Sequence, residues 1–426
     1  MRNFISHNKI LILVIVAICI PYFIGVASVP FHPDESTQIY MSSDFELFFK
    51  DIKSLYYTPT SNTDPKTTYR LLDAPLTRYI IGVGRTITQT DPLQNDWSWS
   101  SSWSENVANQ SLPDNQQLLV SRYSTSILFP FSLLLMFFIG KKIKGDWTGW
   151  VAMILFATNG LVLLHTRRAM AESALLFTLL LALWMLLYCY KNKWLIAIPI
   201  SLAFLAKQTT SFLFPAGIFV LILPFRKIFS QWKNMLKNIF LFITVSILII
   251  FLFNPFLWKN PVQSIQATVE ARKGFSFRQS EEINQINSDQ YLSNISERFI
   301  AIISQTFIAP PAFEDIGNYH VEIEPTAIAY FNNPLNKLFR GFFYGGICAI
   351  LSILGLAITI RNIRGLSHDS TILLISFALA FLTCFLFVLP FQRYYLILIP
   401  FICLFSAIAI DETRLIMSSF KSKTLL

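Results

Sequence analysis

Phe31-His32-Pro33-Asp34-Glu35-Ser36-Thr37-Gln38-Ile39-Tyr40 closes an uncharged run of 22 residues that begins at Ile10. A run of that length is enough for a helix to cross the roughly 30 Å hydrocarbon core of a bilayer. Asp34 and Glu35 therefore stand where the first membrane helix surfaces into water. An ionised side chain at the bilayer centre costs several kcal/mol, whereas one at the rim stays hydrated and can still reach a lipid headgroup. Such a position suits proton transfer by a membrane enzyme.

The chain has 426 residues, 54% of them hydrophobic and only 14% charged, with 40 Phe. That composition is far from a soluble domain and places the chain among integral membrane proteins. Ten segments without charge follow one another: Ile10 to Phe31, Tyr123 to Gly140, Trp147 to Leu164, Ser173 to Tyr190, Trp194 to Ala206, Gln208 to Phe225, Asn238 to Trp258, Gly341 to Ile360, Ser370 to Gln392 and Tyr394 to Ile410. The expected fold is an all-α polytopic membrane protein of about 10 transmembrane helices with two long external loops. Trp194 to Ala206, with a helical rise of only about 20 Å, is expected to end inside the protein. The first segment follows Arg2 and Lys9 like a signal peptide. It is longer than the usual hydrophobic region, so a retained helix is expected. All five cysteines lie inside apolar runs without Cys-x-x-Cys spacing, as packing residues do.

With the N-terminus inside, alternate connections carry 16 of the 34 basic residues but only four of the 25 acids. Short cytoplasmic loops are enriched in Lys and Arg, so this orientation is expected. The net charge of +9 then reflects topology, and no nucleic-acid partner is implied. The organisation expected is an N-terminal membrane module (1–258) whose first external loop (32–117) carries the acidic pair, a second external loop (259–336) and C-terminal membrane helices (337–426). Trp97, Trp99 and Trp103 in the first loop suit either a segment at the headgroup level or a small loop core. The pairs Glu281-Glu282 and Glu314-Asp315 in the second loop read as solvated surface.

Parity brings several charged groups to the outer face: His165, Arg167, Arg168 and Glu172 in one short connection, Lys207 after the half-length segment, and Arg78, Arg122 and Arg393. Any one of these cations could simply snorkel to headgroups. Their convergence with Asp34 and Glu35 is what transfer from a lipid phosphate requires: cations for the charge growing on the leaving phosphate, a carboxylate for the proton of the attacking hydroxyl.

Pro33-Asp34-Glu35, Asp73-Ala74-Pro75-Leu76-Thr77-Arg78-Tyr79, His165-Thr166-Arg167-Arg168 with Glu172, Leu202 to Lys207, and Arg393-Tyr394-Tyr395-Leu396 with Pro400 follow in an order that resembles the GT-C glycosyltransferases. The resemblance is to the protein O-mannosyltransferase and aminoarabinose transferase branch, whose members take sugar from a polyprenyl or dolichyl phosphate. It runs from the first helix to about Lys207 and resumes at the last two spans. It implies a catalytic acidic pair at Asp34 and Glu35, with Asp34 as general base, and donor-phosphate contacts from Arg78, Lys207, Arg393 and Tyr394. His165, Arg167, Arg168 and Glu172 would line the substrate cavity. The chain departs from the pattern at Asp73-Ala74-Pro75, where His-Pro-Pro or Lys-Pro-Pro is usual, and at Glu172, where an Asp is frequent.

The function so implied is an inverting hexosyltransferase, mannosyltransferase-like, at the external face of the plasma or inner membrane. Its partners would be a polyprenyl-phosphate sugar, an acceptor protein, lipid or glycan, and the bilayer. No cofactor is expected; a divalent metal is the alternative, needing His165 and Glu172 to be brought together by the fold. The competing function is a transporter or lipid flippase, favoured by the short segment before Lys207 but not by an internal repeat.

Overall fold

A computed structural model describes residues 2–59, 65–189, 193–223, 228–286, 291–315, 319–363 and 367–424. Lys191, Arg226, Lys227 and Arg364, counted above on the inner side, lie outside the described residues. Among the described residues every regular element is a helix. Each of the ten uncharged segments contains one. Six helices are long and apolar enough to cross a membrane: Asn115–Lys144, Ala171–Tyr188, Trp232–Leu252, Phe342–Asn362, His368–Phe385 and Gln392–Ser419. Asp146–Ala157 and Gly160–Thr166 form a seventh if the pair, bent by 60°, is one span. Lys9–Ile24, Trp194–Ala206 and Gln208–Ile222 are shorter. The chain is thus an all-α multi-pass membrane protein; among the described residues six helices, or seven with the bent pair, are long and apolar enough to span and three apolar helices are shorter, where about ten spans were expected.

The bend has a local cause. Asn159 leaves the helical conformation and its side chain accepts from the N–H groups of Leu161 and Val162, starting a new helix. Backbones approach closely where side chains are small, the usual packing device when lipid removes the hydrophobic drive between helices. A Cβ on Gly355 would overlap the carbonyl oxygen of Phe405, and one on Gly140 would meet the Cα of Gly149 at 2.8 Å. Around these crossings Phe129, Leu133, Met136, Phe156, Leu179, Phe401 and Phe405 form the buried core. The first helix and Trp232–Leu252 instead present Ile12, Leu13, Val16, Phe240, Ile247 and Leu248 outward, as lipid-facing helices do.

Charged groups gather at the two ends of the bundle. Lys141 pairs with Asp146 (2.7 Å), Lys144 with Glu412 (2.5 Å) and Arg414 with Asp411 (2.7 Å), all groups assigned to the inner side. Asp34 and its neighbours gather at the other end. There the first long connection folds into short helices, among them Pro33–Met41, Asp44–Lys50, Pro65–Leu72 and Leu76–Thr88. The second begins with the helix Pro261–Ile286 and returns through Ile295–Ile303 and His320–Asn332. Trp97 and Trp103 stack edge to face at 5.4 Å and both touch Phe31, while Trp97 and Trp99 meet Tyr319 at 6.3 and 6.2 Å. Trp97 is buried and Trp103 half-buried in a small aromatic loop core, while Trp99 is exposed. This core joins the first loop to the second, and Trp99 lies 6.5 Å from the ring of His32, beside the acidic pair.

Candidate active site

The helix Pro33–Met41 begins with Pro at its first position and Glu35 at the third, the pattern of a capping box. His32 is the cap: its Nδ1 accepts the N–H of Asp34 at 3.1 Å, and its own N–H donates to Glu35 Oε2 at 3.1 Å. This turn sends the two acids in different directions. The Glu35 carboxylate is fully buried and accepts Arg122 Nε and Nη2, both at 2.7 Å, and the Ala169 N–H at 2.9 Å. The Asp34 side chain keeps 32% of its surface exposed and accepts from Arg393 Nη1. The pair expected to act together is therefore split: Glu35 is a buried anchor with no open approach, and Asp34 stays partly exposed beside Arg393.

Arg393 opens the last membrane helix and sits between two carboxylates. Its Nη1 meets Asp34, and its Nη2 lies 2.8 Å from Asp315 Oδ2, an ion pair without hydrogen-bond alignment. Asp315 also lies 3.4 Å from His32 Nε2, and its side chain is only 11% exposed. The solvated reading of Asp315 is thus corrected: the second loop folds inward and pairs it. Lys207 stands at the break between Trp194–Ala206 and Gln208–Ile222, with Nζ 2.5 Å from Glu172 Oε1. Its ammonium lies 5.6 Å from the centre of the Tyr394 ring, and the Arg393 guanidinium 5.8 Å from the same ring, distances at which cations are attracted to aromatic faces. Asp34, Arg393, Lys207, Glu172, Tyr394 and Asp315 thus form one group.

The remaining expected residues fall elsewhere. His165 is buried, with neither ring nitrogen hydrogen-bonded, and lies within electrostatic reach of Glu172, Asp315 and Arg393. Arg167 and Arg168, expected to line the cavity at the rim, are buried and committed to holding backbone. Arg167 donates to the carbonyls of Tyr22 (3.0 Å) and Pro21 (3.3 Å) and to Asn336 Oδ1 (3.0 Å). Arg168 donates to the carbonyls of Pro30 (3.2 Å) and Phe313 (2.8 Å), tying the first loop to the second. Arg78 belongs to a second charge group. Its Nη1 meets Asp44 Oδ2 at 2.9 Å, Asp44 also accepts Arg70 at 2.6 Å, and Arg78 Nη2 donates to the Asp73 carbonyl at 2.8 Å. Arg78 thus stands apart from Arg393 and Lys207, and with Asp44, Arg70 and Tyr79 it lines a small pocket. Asp73, the departure from the usual Pro-Pro motif, lies between the groups, within electrostatic reach of Arg78, Arg272, Asp34 and Lys207.

The electrostatics follow from these partners. Burial opposes the ionisation of Asp34, but Arg393 and His32 outweigh it and hold the carboxyl below the usual carboxylate range. Glu35 is lowered against burial by Arg122, and Asp44 by Arg70 and Arg78. Asp73 goes the other way: burial raises it and the nearby Asp34 adds to the rise. Asp34 is therefore an ionised, partly exposed carboxylate paired with Arg393. Among the described residues no three His, Cys, Asp or Glu side chains stand together as a metal-holding set. Sequence reasoning put Arg122 on the outer face without its pairing to Glu35, read Asp315 as solvated surface and gave His32 no part. The capping box could have been read from Pro33 and Glu35; for Asp315 only the stiff Pro310-Pro311 ahead of it hinted at an ordered loop.

The sequence profile of the dolichyl-phosphate-mannose-protein mannosyltransferase family matches residues 93–268, a stretch that includes Arg122, Glu172 and Lys207 but neither Asp34 nor Arg393. No curated protein matches the chain. Among solved structures, the archaeal oligosaccharyltransferase AglB from Archaeoglobus fulgidus, in complex with an inhibitory peptide and a dolichol-phosphate, is similar at 12% identity and a TM-score of 0.52, covering 98% of this chain and 51% of that one. Its apo form gives 12% identity and a TM-score of 0.52 over 96% of this chain and 52% of that one. ArnT from Cupriavidus metallidurans bound to undecaprenyl phosphate aligns over 95% of this chain and 60% of that one, at 10% identity and a TM-score of 0.45. The chain spans about half the length of the archaeal structures. The resemblance to the GT-C glycosyltransferases carried by the sequence motifs is thus met twice, by the mannosyltransferase profile across the middle of the chain and by a shared fold across nearly all of it.

Proposed function

We propose that the protein is a membrane glycosyltransferase that moves a hexose-type sugar from a polyprenyl phosphate to an acceptor hydroxyl, at the end of the bundle that carries Asp34 and on the external side of the membrane. The observation that carries this reading is the pairing of Asp34 with Arg393, with Lys207 on the same aromatic ring. The mannosyltransferase profile and the fold support it. Mannose as the sugar, and protein as the acceptor, follow from the profile's family and belong to the proposal.

The step is a single displacement. The Asp34 carboxylate takes the proton of the acceptor hydroxyl as its oxygen attacks the anomeric carbon. The bond from that carbon to the phosphate oxygen breaks with inversion, and the electron pair leaves on the polyprenyl phosphate. The phosphate gains negative charge as the bond breaks, so cations beside it stabilise the transition state more than the bound donor. Arg393 supplies a planar fork for the phosphate oxygens and Lys207 a compact charge. In the resting site Arg393 is engaged by Asp34, which weakens the carboxylate as a base. A phosphate competing for Arg393 would free Asp34 when the donor arrives. Glu172 holds Lys207, and His165 faces the same space. Chemistry so performed by the chain's own residues needs no cofactor.

The test is transfer of radiolabel from polyprenyl-phosphate hexose to a membrane extract, catalysed by the purified protein in vesicles. Wild type is expected to form labelled product, and Asp34→Asn and Arg393→Ala to lose it. Equal transfer by all three contradicts the mechanism. The bend of 60° and the short helices around Lys207 favour a second reading, a transporter or flippase with interrupted helices. Movement of labelled lipid across the bilayer without covalent transfer would favour that one.

A further inference from the structure

Asp34 is one corner of a closed ring formed with Arg393, Asp315 and His32. Arg393 Nη1 meets Asp34, and Arg393 Nη2 lies 2.8 Å from Asp315. Asp315 faces His32 Nε2 at 3.4 Å, and His32 Nδ1 returns to the N–H of Asp34 at 3.1 Å. The four groups come from the start of the Pro33–Met41 helix, the second loop and the start of the last membrane helix.

The ring fixes the state of the imidazole. To accept the Asp34 N–H, Nδ1 must present a lone pair, so in neutral His32 the proton sits on Nε2, facing Asp315. His32 is 1% exposed, and Asp315 Oδ2, 3.4 Å from Nε2 but not aligned for a hydrogen bond, is the carboxylate facing this side of the ring. The geometry points to Asp315, acting through His32 and Arg393, as the residue that positions the Asp34 carboxylate and shares the guanidinium that would otherwise bind Asp34 alone. Asp315 need not touch the substrate: it is a positioning residue, and this role rests on Asp34 being the base. Without the charge of Asp315, Arg393 would close fully on Asp34, and the imidazole would lose its orientation. The base would then be both displaced and more tightly neutralised.

Two substitutions separate this role from simple structural support. Asp315→Asn keeps the size of the side chain and removes its charge. His32→Asn keeps a side chain able to cap the helix but cannot reach Asp315. Each is expected to lower the rate of label transfer about ten- to a hundredfold, the scale of a misplaced reacting group. Binding of undecaprenyl phosphate to the purified protein should stay within about twofold, which also reports that the variants are folded. The double variant should be no slower than the slower single one, because both break the same ring. Asp315→Glu should recover part of the rate.

A pH profile adds a readout that loss of packing would not move. The charged and titratable groups facing Asp34 are Arg393, His32 and Asp315, with Asp73 and Asp96 further away, and the charge of Asp315 opposes ionisation of Asp34. Removing that charge should move the acid limb of the rate to lower pH. Wild-type rates in Asp315→Asn and His32→Asn, with Asp34→Asn inactive, overturn this inference alone. Losses that multiply in the double variant also overturn it. Full activity in Asp34→Asn overturns both it and the reading of Asp34.

Discussion

At the scale of residues, two neighbouring acids end in different environments because a helix start points consecutive side chains about 100° apart. Glu35 is closed in by Arg122, and removing one partner of a buried ion pair leaves an uncompensated charge. Glu35→Gln or Arg122→Met should therefore destabilise the protein by about 3 to 5 kcal/mol, read as a lowered unfolding transition in detergent. The pH dependence follows from the same pairs. Folded Glu35 and Asp44 titrate below their unfolded values, so their contribution is present above about pH 4 and is lost as pH falls through the lowered folded values. Unfolding midpoints should fall on acidification below about pH 4, and Glu35→Gln should flatten that decline. The sequence made the acidic pair visible and placed Arg393 and Lys207 on its face, because short connections between apolar runs leave few places for a charge. It could not separate Asp34 from Glu35, since their difference is made by Arg122, 87 residues away. Nor could it distinguish Arg393, which meets Asp34 and Asp315, from Arg167 and Arg168, which hold backbone carbonyls.

At the scale of elements, the interruptions of the helices bring the site together. The cap at Asn159 turns the chain so that His165 to Glu172 pass beneath the first loop, and the break at Lys207 leaves its ammonium against Glu172. Asn159→Ala should cost about 1 kcal/mol of stability, the usual value of a lost cap. It should also lower transfer, because Glu172 and Lys207 depend on that turn; thermal unfolding and the label assay on one preparation check both. The uncharged length of Trp194 to Ala206 made that break legible. The bend at Asn159 was hidden, because Trp147 to Leu164 is uncharged throughout and one Asn in an apolar run does not announce a cap. Gly355→Leu should be worse tolerated than Asn159→Ala, because its Cβ would meet the Phe405 carbonyl.

At the scale of the whole molecule, charge sorts to the two ends of an apolar bundle, and two loops close over one of them through Trp97, Trp103 and Tyr319. The fold class was legible because membrane helices must satisfy their backbone internally and therefore declare themselves as apolar runs. The docking of the loops was not, because it rests on contacts such as Arg168 to Phe313 that join residues 145 apart. The proposed orientation predicts that a cysteine replacing Asn109 is labelled by an impermeant maleimide in intact cells, and one replacing Arg361 only after permeabilisation; the reverse pattern would invert the topology. The central claim is that Asp34 and Arg393 are a pair which the donor phosphate divides. The most direct measurement is the binding of undecaprenyl phosphate and the rate of label transfer in Asp34→Asn on the same preparation. Removing the carboxylate that competes for Arg393 should leave binding as tight as in wild type or tighter, while transfer falls about 10² to 10⁴-fold. Binding that weakens in step with the rate, or a rate that does not fall, would contradict it.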